Sequence, residues 1–96
     1  MERLRRFDVA AHGDALMVVV ESELLPPDRV VVVIPLVEGY PAVRHLNPTL
    51  RIADREHVLA TRLIGSVRRE ALKRVGSMRE EADAITRAID VLMAGV

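Results

Sequence analysis

Apolar residues recur along this chain with two different periods. Near the C-terminus, Met78, Ala82, Ile85, Ile89 and Leu92 follow one another at spacings of four, three, four and three. That spacing places them in one stripe along a helix. Arg79, Glu80, Asp83, Thr86, Arg87 and Asp90 fall mainly on the other side. The pattern predicts a helix over residues 77–96. Ser77 with Glu80 three residues on reads as a capping box at its start. Glu80, Glu81 and Asp83 suit the positive end of the helix dipole.

Ahead of the helix the period shortens. Residues 6–10 alternate weakly and predict a first strand, and residues 15–21, rich in β-branched side chains, a second. Ala11-His12-Gly13-Asp14 between them supplies turn residues, with Gly13 able to take a positive φ, so the two strands should form a hairpin. Leu24-Leu25-Pro26-Pro27-Asp28 breaks regular structure. Residues 29–36 are the strongest strand. Their unbroken Val-Val-Val-Val-Ile run predicts burial on both faces. One face would take the helix, the other a second layer or another subunit. After a connection over residues 37–48 come short strands at 49–52 and 57–64, separated by a polar turn and ended by Gly65-Ser66. Residues 67–75 fit helix or strand. The expected architecture is α+β: short antiparallel strands followed by one terminal helix.

Length and composition narrow the function classes. With 96 residues the chain forms one domain, 1–96. Half of it is hydrophobic, but it holds one Phe, one Tyr and no Trp. Formal net charge is zero, which argues against a dedicated nucleic-acid binder. The absence of cysteine removes disulfides and thiolate metal sites. No apolar run comes after the basic opening as a signal peptide requires, and residues 30–37 are too short to span a bilayer. No membrane association is expected, and the default compartment is the cytoplasm.

Candidate chemistry is sparse. His12, His45 and His57 are scattered without metal-ligand spacing, and Asp54-x-x-His57 alone is common by chance. Ser22, Ser66 and Ser77 have no nucleophile context, and no glycine-rich phosphate loop occurs. Arg68, Arg69, Lys73 and Arg74 form the best polyanion candidate, although Glu70 interrupts them and a solvated face is the simpler account. No catalytic residue, cofactor or metal is expected.

Specific segments carry the reading further. Glu21-Ser22-Glu23-Leu24-Leu25 is succeeded by residues 29–36 ending Val33-Ile34-Pro35-Leu36. Leu46-Asn47-Pro48 and Arg51-Ile52-Ala53-Asp54 come next, then the terminal residues 83–96 with their Gly95-Val96 end. This series resembles the CcdB toxins of toxin–antitoxin modules over nearly the whole chain. The resemblance implies an SH3-like β-barrel with an additional small sheet and a C-terminal helix, in a homodimer without enzymatic activity. It implies binding to the A subunit of DNA gyrase, trapping its cleaved-DNA state. It further implies neutralisation by a CcdA-like antitoxin, which contacts operator DNA and represses transcription in complex with the toxin.

Carried across position by position, the implied gyrase-binding residues are Leu24, Leu25, Asp90, Met93, Ala94, Gly95 and Val96. Ala94 stands where the family's well-known toxin has tryptophan, Met93 where it has another aromatic, and Asp90 where it has asparagine. Two alternatives stay open. One is a non-toxic homologue that still dimerises and binds antitoxin. The other is an endoribonuclease of the related MazF/Kid fold, with Asp54, His57 and the arginine cluster as loose candidates.

Overall fold

The computed structural model describes residues 3–95. Gly13, with φ at 61°, turns the chain between β1 (Asp8–His12) and β2 (Ala15–Val19), which pair antiparallel as the expected hairpin. The first strand starts two residues later than its alternation predicts, because Phe7 takes φ 72° and leaves the extended region. β2 hands on to β3 (Val30–Val37), the axis of the sheet. On its other edge β3 changes partner. Val30 to Val33 pair with β6 (Gly65–Arg68), and Leu36 and Val37 with β5 (Arg55–Leu59). Pro35 sits at the changeover, where its missing N–H leaves no ladder bond broken, while its carbonyl accepts from the Ala60 amide at 2.9 Å.

β4 (Thr49–Ile52) pairs with β5 through the two-residue turn Ala53-Asp54, and β7 (Lys73–Ser77) closes on β1. The path is β4-β5-β3-β2-β1-β7, with β6 branching from β3. The sheet curls into a half-barrel, and with α1 (Ala82–Ala94) it makes the α+β, SH3-like arrangement. The β4–β5 hairpin is the small added sheet, hydrogen-bonded onto the end of β3.

Strand alternation divides the apolar residues between two cores. Val9, Val18, Ile34 and Leu36 face one side and meet Leu50, Leu59, Ile85 and Ala88. Ala10, Met17, Val19, Val31 and Val33 face the other and meet Leu4 and Leu72. The valine-rich run is therefore buried on both sides, as its sequence predicts. The second side is closed by the chain's own Leu4 and Leu72, so no second subunit is needed to cover it.

Other boundaries also differ from the sequence pattern. The helix does not begin at Ser77. That residue pairs with Asp8 in the β7–β1 ladder, and Met78 N–H still bonds Phe7 O at 2.7 Å. The chain leaves the sheet through a 3-10 turn at Arg79–Glu81 before α1 starts at Ala82. Ser77 Oγ does accept the Arg79 N–H at 3.2 Å, but the cap positions Met78 and Glu81 make no side-chain bond, so the capping box does not form. Gly65, expected to end a strand, opens β6, and residues 67–75 supply the end of β6, a 3-10 turn at Arg69–Ala71 and the start of β7 rather than an α-helix. The strand expected over 57–64 stops at Leu59, because Thr61 turns away. Its hydroxyl donates to Leu46 O, and its N–H to Asn47 Oδ1 at 3.3 Å. Among the described residues no helix is long and apolar enough to cross a membrane.

Candidate interaction surface

The buried stripe of α1 is short. Ile85 and Ala88 are fully buried, and Ile89 packs on the same core while partly exposed. Ala88 was absent from the predicted stripe. Its small side chain lets the helix approach the sheet where a larger residue would hold it off. Beyond Ile89 the core ends but the helix continues. Asp90, Met93 and Ala94 are exposed on the last turn, at the i, i+3 and i+4 positions that share one helix face. Met93 is 76% exposed, a large apolar side chain held in water. Gly95 adopts φ 72° and its N–H bonds Val91 O at 2.9 Å, closing the helix in a left-handed cap. Val96 lies outside the described residues.

Leu24 and Leu25 lie elsewhere, on the loop between β2 and β3. They are 95% and 56% exposed. The loop is nevertheless held. Ser22 Oγ accepts the Leu24 N–H at 3.1 Å, and Ser22 O accepts that of Leu25 at 3.3 Å. Pro26 and Pro27 stiffen the second half of the loop. Arg69 fastens both ends: Nη2 meets Glu21 Oε2 at 3.5 Å and Nε donates to Asp28 O at 2.9 Å. Among the described residues, the loop's polar ties run to Arg69 and, through Glu23, to Arg79 at 3.7 Å. The structure thus gathers Asp90, Met93, Ala94 and Gly95 on one turn and presents Leu24 and Leu25 on a separate, clamped loop.

Arg69 is the residue that sequence reasoning misassigned. Grouped with Arg68, Lys73 and Arg74 as a basic patch, it is instead a largely buried clamp, paired with a carboxylate 48 positions away. The rest of that cluster is also divided. Arg68 pairs with Glu70 at 3.7 Å, and Arg74 with the buried Asp8 at 3.2 Å. Asp54 and His57 do not assemble a catalytic pair either. Asp54 occupies the β4–β5 turn at φ 64°, whereas His57 is buried, with Nδ1 3.1 Å from Arg55 O. Among the described residues no group of three or more histidine and carboxylate side chains is placed to hold a metal ion.

An exposed helix end and an exposed apolar loop thus stand on a closed scaffold. The comparison with curated proteins gave no match. The family model described as CcdB protein matches residues 6–95. That span takes in every strand, the clamped loop and the helix to its cap, and the chain belongs to the CcdB family.

Proposed function

We propose that the chain is the toxin of a type II toxin–antitoxin module. It binds the A subunit of DNA gyrase through the last turn of α1, is neutralised by a CcdA-like antitoxin, and contacts operator DNA only within that complex. Family membership over residues 6–95 carries this reading. The exposure of Asp90, Met93 and Ala94 supports it, because these side chains take no part in either core. The family acts by holding gyrase in its cleaved-DNA state rather than by catalysis, and the buried His57 and paired arginines agree with a binding role.

A second reading is favoured by Ala94 itself: a homologue that retains dimerisation and antitoxin binding but poisons gyrase weakly. A tryptophan at the centre of an interface typically costs about 2–4 kcal/mol when truncated to alanine, or roughly 30- to 1,000-fold in affinity. Met93 offers a flexible apolar contact but no flat ring for a guanidinium to stack on. The natural protein and Ala94→Trp, each titrated against the host gyrase A fragment and one bound by a tryptophan-bearing relative, separate the readings. Toxin function predicts tight binding to the host fragment by the natural protein. The weak-homologue reading predicts poor binding to both fragments and a gain with tryptophan. Tight binding to both, indifferent to the tryptophan, removes the helix end as the recognition element.

A further inference from the structure

A groove of about 810 Å³ lies on the face opposite α1, between the residues that precede β1 and the clamped loop. Its exposed apolar lining comes from Leu25 and Pro27, over Leu4, Val19 and Val31, which are buried in the second core. Arg3, Arg5, Arg6, Arg29 and Arg69 also line it. Leu4 is buried in the second core, and Arg5 N–H donates to Asp8 Oδ2 at 2.8 Å while Asp8 N–H donates back to Arg5 O at 3.0 Å. These bonds fix the arginine segment against the sheet. A smaller polar recess of about 480 Å³ adjoins it, where Arg3, Arg5, Arg74 and Arg79 surround Asp8 and Ser77. Arg3 and Arg5 therefore form a ridge between an apolar trough and a basic recess.

The charges on this ridge are under-compensated. Among the described residues no carboxylate pairs with the Arg3, Arg5 or Arg29 side chains, and all three are exposed. Arg6 lies 4.8 Å over the Phe7 ring, and its Nε is buried without a hydrogen-bond partner among the described residues. We propose that the groove docks an acidic, extended segment of a partner protein, with a large apolar side chain between its carboxylates. The apolar lining would take that side chain, and Arg3, Arg5 and Arg29 would take the carboxylates. Glu21, Glu23 and Asp28 also line the groove and would repel a continuous phosphate backbone, whereas a peptide can place its charges one at a time. Arg3 and Arg5 lie outside the span that the family model matches. The proposal does not depend on what the helix end binds.

The test uses the full chain and a fluorescein-labelled 12-residue peptide of repeating Glu-Leu-Glu-Ser units, with anisotropy as the readout. Three comparison probes are the same peptide with glutamine for glutamate, the same peptide with serine for leucine, and a 12-nucleotide single-stranded DNA. Binding of the first peptide should weaken about tenfold or more with either peptide change. The double variant Arg3→Glu/Arg5→Glu should weaken it to a similar extent, and Arg29→Glu should do so independently, each with an unchanged circular dichroism spectrum. Any of three results overturns the proposal: no peptide binding, binding indifferent to both sets of arginine variants, or tighter binding of the oligonucleotide than of the peptide.

Discussion

Of the four described non-glycine residues at positive φ, Phe7, His45, Ala53 and Asp54, two stand side by side in one turn. Ala53 takes φ 51° and Asp54 φ 64° in the two-residue β4–β5 turn, a geometry that asks for Asn-Gly and leaves an alanine Cβ crowded. Ala53→Gly should raise stability by about 0.5–1 kcal/mol, the steric relief exceeding the added chain entropy. Urea unfolding with an unchanged slope checks it. Arg69 works by reach. Its one guanidinium meets Glu21 and the Asp28 carbonyl, and with both side chains of the ion pair largely out of water, removal strands a carboxylate. Arg69→Ala should cost about 1–3 kcal/mol and speed amide exchange at Leu24 and Leu25. Arg69→Lys should restore little, because a single ammonium cannot span both acceptors in the same fork. No local pattern in Val67-Arg68-Arg69-Glu70 distinguishes this arginine from its neighbour, since the information lies in the distant Glu21.

At the scale of elements, β3 feeds both cores. Val31 and Ile34 are both fully buried but face different cores. Val31→Ala and Ile34→Ala should therefore both destabilise, by about 1.5–3 and 2–5 kcal/mol respectively. Thermal unfolding that spares either variant would show one face to be solvent. This strand was legible in the sequence because its apolar run is continuous, and the terminal helix because its stripe repeats every three or four residues. The start of the helix was not. Ser77 and Glu80 match a cap, but the pairing of Ser77 with Asp8 holds the chain in the sheet beyond that point. Residues 67–75 were equally opaque: their Arg, Glu, Ala and Leu favour helix intrinsically, yet pairing with β3 and β1 makes strands of their two ends and leaves only a 3-10 turn between. Of the candidate surface, the exposed last turn could be placed by period, whereas the separation of Leu24 and Leu25 from it required the fold.

For the whole molecule, the shared family supports association into a homodimer, a proposal that now rests on kinship rather than on an uncovered sheet face. Sedimentation at micromolar concentration should give a species of twice the 10.7 kDa chain mass, and a monomer alone would refute it. The partner switch along β3 has a further consequence. One strand serves both cores and, at its two ends, both β6 and the β4–β5 hairpin. Neither half can melt while the other persists, for each would take the common strand with it. Loss of the chain to proteolysis in the cell would then track its global unfolding free energy rather than local fraying, so its lifetime could be lengthened from either side of that strand.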